Sequence, residues 1–187
     1  MNYIEGLMLQ ENDKIPELKD TDLVFANEPP EDNPEGEQDI GYGHKITAND
    51  KQSGRVYGFK YADGITKDDA RVILALDKAI HRGRAMDLFS KKEWEAMPLA
   101  LQNLATDYSF TGTLHKFPKM FEALKAGDKA EVVKEYERKY TKDGVKEPMK
   151  RRNGFAMSLI NQGGNYWKTP TIKAVPMKEM KESQGTL

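Results

Sequence analysis

The sequence predicts an α+β fold, with a small sheet in the first third of the chain and helices through the rest. Three observations carry that reading. Two glycine- and tyrosine-rich extended stretches, DIGYGHKIT (39–47) and RVYGFKYADG (55–64), lie close together. From Thr66 onward the apolar residues take up helical spacing behind Ser and Thr start signals. The length of 187 residues, with 38% hydrophobic and 32% charged, suits one ordinary domain that buries its own core.

In chain order, Ile4, Leu7 and Met8 repeat along one helical face, and Glu11 continues that face as its i+7 member. KIPELKD (14–20) is broken by Pro16 and reads as an edge strand or extended arm. VFANEPPEDNPEGEQ (24–38) holds three prolines and a run of acids, so the segment from Asp22 to Glu37 is expected to be a mobile surface insertion outside the core. DIGYGHKIT then reads as a strand in which Gly41 and Gly43 admit close approach to the backbone, and extended character continues through Val56, Tyr57 and Phe59 to an Asp63-Gly64 turn.

The helices have recognisable starts. Thr66 with Asp69 caps one whose apolar stripe would run through Val72, Ile73, Leu76 and Ile80, and Ser90 with Glu93 opens another that carries Trp94 and Met97 to a break at Pro98. LALQNLATDYSF (99–110) aligns Leu101, Leu104, Ala105 and Tyr108, which makes it the candidate central helix. A short helix closes at Gly127, a further one begins behind Asp128 and takes in DKAEVVKEYERKY, and a last helix spans 150–160. The expected organisation is a single domain: about 1–65 as first helix and sheet lobe, 66–160 as helical lobe, and 161–187 as tail.

Composition excludes several classes. With no cysteine there is no disulfide framework and no thiolate nucleophile, and His44, His81 and His115 have no metal-ligand spacing. The net charge is −1, with acids crowding 20–39 and lysines and arginines crowding 116–152, so a dedicated nucleic-acid binder is not expected. The amino terminus lacks the basic and apolar regions of a cleavable signal, and no stretch approaches membrane-spanning length. Synthesis in a reducing cytoplasm, without membrane insertion, is the expectation.

One constellation stands out. Glu11 and Asp20 are separated by eight residues, KDT surrounds Asp20, and DIGYGH supplies Ile40, Gly41, Gly43 and His44. In these residues the chain resembles the phage-type lysozymes of the T4 kind, glycoside hydrolase family 24. The family pattern is a Glu late in the first helix, an Asp after eight intervening residues, and a strand reading Thr-Ile-Gly-x-Gly-His. GITKDDARVILALDKAI, LATDYSFTGTL and PMKRRNGFAMSLI extend the likeness less specifically over roughly residues 1–160. The resemblance implies a lysozyme-like fold with a cleft between the two lobes and cofactor-free cleavage of peptidoglycan glycan strands. It also implies a monomer that is made in the host cytoplasm and reaches the wall through a membrane hole or as part of a virion.

The chemistry fits the residue types. Inverting hydrolysis of a glycosidic bond needs a protonated carboxylic acid and a second carboxylate that activates water, set about 6.5–9.5 Å apart. A carboxyl on an apolar stripe is desolvated, which raises its pKa and suits Glu11 to the acid role; Asp20, in a polar turn, would stay ionised. The departure from the family is Asp39, which stands where the pattern has Thr. Asp39 could orient the water, could raise the pKa of Glu11 by like-charge repulsion, or could attack the sugar directly; its ordinary alternative is a pairing with a turn N–H or with Lys45.

His44 reads as a structural histidine rather than a catalyst. By the resemblance, Arg151 or Arg152 supports Glu11 or an acidic peptide stem, and Phe110 takes a cleft-facing aromatic position; read on its own Phe110 is core packing first and a sugar contact second, and Lys45 joins it among the candidate substrate contacts. Two rivals remain: a lytic transglycosylase, which needs no water-activating carboxylate, and a wall-binding or virion module that has kept the fold and lost the chemistry.

Overall fold

The structure, a computed structural model, describes residues 15, 18, 19, 22–27, 37–142 and 144–168. Glu11, Asp20 and the apolar stripe leading to Glu11 lie outside the described residues, as do 28–36 and the tail beyond Lys168. Among the described residues, seven α-helices and three two-stranded antiparallel sheets alternate along the chain, a mixed architecture compatible with α+β.

The stretch read as one strand is a hairpin. Strands β1 (Asp39–Ile40) and β2 (His44–Lys45) pair with Ile40 opposite His44, leaving Gly41, Tyr42 and Gly43 as the connection. Both glycines have positive φ, +62° and +86°, which reverses the chain where a run of β residues would have continued it. Gly41 has a second constraint: a Cβ there would come 3.3 Å from the Cβ of Ala70.

A helix absent from the sequence reading follows. α1 (Ala48–Ser53) begins at a reciprocal capping box between Thr47 and Asp50 and ends at left-handed Gly54, yet buries none of its residues. The next extended stretch is again a hairpin, of β3 (Arg55–Val56) and β4 (Phe59–Lys60). The acidic segment is not wholly apart from the core. Val24 is buried and exchanges two backbone hydrogen bonds of 2.8 Å with Ile65, while Leu23 and Phe25 remain exposed and close over Gly64.

α2 (Lys67–Met86) starts at the expected Thr66–Asp69 box, but of the expected stripe Ile73 alone is buried. Ala70, Ile73, Leu74, Asp77 and Ala85 point inward; Val72, Leu76 and Ile80 are exposed. The helix is rotated so that a carboxylate takes a core position. α3 (Lys91–Ala96) runs from the Ser90–Glu93 box to a stop before Pro98, burying Trp94 and then Met97. α4 (Leu99–Phe110) is the central helix, with Leu101, Leu104, Ala105 and Tyr108 all inaccessible to solvent. It packs against α2 on one side and, on another, against α7 (Lys150–Asn161).

α5 (Pro118–Ala126) closes at Gly127, and α6 (Lys129–Glu135) starts at Asp128. α6 is shorter than expected: the chain leaves it at Glu135 and forms a third hairpin, β5 (Lys139–Lys142) with β6 (Val145–Pro148). Residues 161–168 are docked on the helices rather than separate, because Trp167 donates its indole N–H to Ile160 O (3.0 Å) and Tyr166 its hydroxyl to Leu124 O (2.8 Å).

Beneath α4, α7 and the third hairpin lies a buried ionic cluster. Asp107, with no solvent exposure, meets Arg152 Nη1 at 2.6 Å and Arg138 Nη1 at 2.7 Å. Arg138 is itself buried: its guanidinium lies 4.3 Å from the Tyr108 ring centroid and donates to Arg152 O, and its backbone N–H and C=O are both held by the Asn153 amide at 2.9 Å. Burial pushes the Asp107 carboxyl above its usual range, and Arg138 works against that shift. Asp107→Asn should therefore destabilise the chain by about 3–5 kcal/mol, because two guanidiniums stay buried without a counter-charge. Calorimetry should record a Tm lower by roughly 10 °C.

Candidate active site

An open cleft of about 650 Å³ is lined by β1–β2, the tip of the β3–β4 hairpin, the middle of α2, the carboxyl end of α4 and the first turn of α7. Asp39, His44, Lys45 and Phe110 all line it, as do Gly43 and Arg152. Gly41 does not, because it is pressed against Ala70. Arg151 lies outside it, beside Tyr140 and Lys150 in a neighbouring hollow. Glu11 and Asp20 lie outside the described residues.

Asp39 owes its position to its backbone. Its N–H donates to Asn27 Oδ1 at 2.5 Å, and its carbonyl accepts from the Asn27 N–H at 3.0 Å, so the strand is clamped on the side away from β2. Its Oδ1 is buried and meets no hydrogen-bond donor among the described residues. The ordinary pairing with Lys45 does not form. Lys45 faces Asp39 across the ladder, but its ammonium goes to Glu37. A buried carboxylate oxygen without a donor is costly, and a water or a ligand hydroxyl would satisfy it.

His44 is held from two sides. Nδ1 lies 2.9 and 3.0 Å from the two oxygens of Asp77, and Nε2 lies 3.6 Å from Asp50. Burial by itself would lower the imidazole pKa; the hydrogen bond to Asp77 and the charges of Asp77 and Asp50 outweigh it, and the pKa stands above its ordinary value. Asp77 also accepts the Tyr57 hydroxyl at 2.6 Å, so one carboxylate on α2 ties down both hairpins.

On the other wall, His81 Nδ1 lies 3.1 Å from Ser109 Oγ, and its ring sits 5.1 Å from that of Phe110. Burial and then the charge of Arg84 push the His81 pKa below its usual value, leaving a neutral ring at physiological pH. This pair is not a nucleophile elbow, since Ser109 lies within a helix with no turn to present its hydroxyl.

Asp77, Tyr57, His81, Arg84 and Ser109 were not singled out from the sequence. For Asp77 a signal existed: it follows Ile73 by four residues and Leu74 by three, an acid in line with apolar residues at helical spacing. Among the described residues no cluster of three or more His, Asp or Glu side chains is arranged to hold a metal ion, and no helix is long and apolar enough to cross a membrane.

No family model matches the chain, no curated protein matches it, and no solved structure matches it.

The His44–Asp77 contact has a definite pH signature. A histidine whose folded pKa is raised adds stability that is complete below its unfolded value of about 6.5, and that is lost as pH rises through the folded value. His44→Asn should therefore lower Tm more at pH 5.5 than at pH 8.5, by roughly 5 °C or more at the acid end. Melting curves of both proteins across that range test it; a difference that grows toward pH 8.5 would contradict the assignment.

Proposed function

We propose that the protein is a muramidase that hydrolyses the β-1,4 bond between N-acetylmuramic acid and N-acetylglucosamine in bacterial peptidoglycan. The observation that carries the reading is the Asp39 carboxylate: clamped by Asn27, facing a cleft, with one oxygen that finds no donor among the described residues. The sequence supplies the remainder, since Glu11 and Asp20 keep the eight-residue interval of the family that the chain resembles.

In this reading Glu11 gives its proton to the leaving glycosidic oxygen, and Asp20 and Asp39 share the water that attacks the sugar from the other face. Asp39 also helps to keep Glu11 protonated, because two carboxylates near one another do not both ionise easily. The partner is the glycan strand. The wall is reached from the cytoplasm through a membrane lesion or within a virion, and no cofactor takes part.

Glu11→Gln should keep the fold and lower the clearing of permeabilised Gram-negative cells by about 10²–10⁴, the usual worth of a general acid. Near wild-type clearing by that variant would sink the reading. Asp20→Asn and Asp39→Asn should each depress turnover, and the first product should carry an inverted, hydrolytic reducing end. An anhydro end would make the enzyme a transglycosylase instead, and wall binding without clearing by the wild type would leave only a binding module.

A further inference from the structure

We propose that Tyr57 is a preset platform for a pyranose ring in the cleft, and that it occupies its turn for that purpose and not for folding; the proposal rests on the carbohydrate reading above. Val56 pairs with Phe59, so Tyr57 and Gly58 form a two-residue hairpin loop. Both have positive φ, +47° and +93°, the signature of a primed turn. Asn-Gly is the sequence that such a turn favours; a bulky L-residue in the left-handed region is unfavourable. Tyr57 is the one non-glycine residue with positive φ among the described residues.

Such strain persists where something holds it and where it serves a purpose. What holds it is plain. The hydroxyl donates to Asp77 Oδ1 at 2.6 Å, and the ring stands edge-on to His44 with centroids 5.2 Å apart. Packing is not the purpose, because Tyr57 remains 41% exposed although Val56 beside it has no exposure at all. Turn formation is not the purpose either, since asparagine would serve better.

What remains is a ring fixed at its far end and open along the cleft that also contains Phe110. An aromatic side chain whose rotamer is already set loses little entropy on binding and offers a large apolar surface. The C–H face of a β-linked N-acetylhexosamine matches that surface.

Titration of the full chain with tri-N-acetylchitotriose, followed by NMR, tests the proposal alongside melting curves and wall clearing. Tyr57→Asn should keep Tm within a few degrees, because turn relief offsets the lost hydrogen bond, and should weaken binding about tenfold. Tyr57→Phe retains the ring and should bind within about threefold of wild type. If Tyr57→Asn fails to fold, Tyr57→Leu keeps the same backbone demand without an aromatic face and should show the same weakening. Wild-type affinity in the Asn or Leu variant overturns the platform while leaving the carbohydrate reading intact. Equal weakening in the Phe and Asn variants makes Tyr57 a latch for the hairpin and overturns it too. A wild-type chain that neither binds the sugar nor clears walls overturns both.

Discussion

The contact on which the cleft's helical wall depends is the one between Asp107 and its two guanidiniums. Three charges removed from water are expensive, and a buried ion pair is seldom more stabilising than a well-packed apolar replacement. What the pair does supply is direction. Arg152 must reach Asp107 from the first turn of α7, and Arg138 must reach it from the start of the third hairpin, so the hydrogen bond from Arg152, the ion pair with Arg138 and the Arg138 bond to Arg152 O set the placement of both against α4. Asn153 then fixes both polar groups of the Arg138 backbone. Two and three residues beyond Asp107 the chain reaches Ser109 and Phe110, which line the cleft, and Arg152 lines it as well. The ionic cluster and that wall are therefore one construction.

A second acid does the same work on the other side. Asp77 lies inward on α2 and holds His44 from β2 and Tyr57 from the hairpin tip. Because the β1–β2 hairpin is short, the hold on His44 also limits the movement of Asp39, which precedes the Ile40 that pairs with His44. α2 touches both constructions: Asp77 faces the hairpins, and one turn later His81 meets Ser109 on α4. A shift of α2 would thus disturb both walls at once, and both acids sit at helix positions where a leucine would have been the simpler choice for stability.

How much of this was legible depends on what each segment uses to fold. Helix starts were readable because capping boxes are local: Thr66 with Asp69 and Ser90 with Glu93 were found, and Thr47 with Asp50 bears the same mark. It opens a helix that buries nothing, so no apolar stripe drew attention to it. The third hairpin left no trace in periodicity because its strands are largely exposed and mix charged with apolar residues on both sides of Gly144. The stripe on α2 misled for the opposite reason. Val72, Leu76 and Ile80 do repeat at helical spacing, but the demand for Asp77 at the hairpins turns that face to solvent. At the site, Asp39, His44, Lys45, Phe110 and Arg152 line one cleft, whereas Asp107–Arg138 joins residues 31 positions apart with no local pattern to announce it.

Charge in the cleft also bears on what kind of polymer it suits. Lys45 is matched by Glu37, and Arg152 by Asp107; His44 is matched by two aspartates, and His81 is held neutral. Arg84 is the cleft cation that forms no ion pair among the described residues, and Asp39 is an acid with an unsatisfied oxygen. A nucleic-acid strand carries a charge at each phosphate and draws its affinity from matching several of them. Among the described residues it would find one cleft cation without an ion pair, and a carboxylate in the same cleft. A neutral chain rich in hydroxyls meets no such penalty: its donors can satisfy Asp39, and its apolar ring faces can lie on aromatic side chains. The pairing of charges within the protein thus favours an uncharged polymer backbone over a polyanion, on grounds independent of the spacing between Glu11 and Asp20.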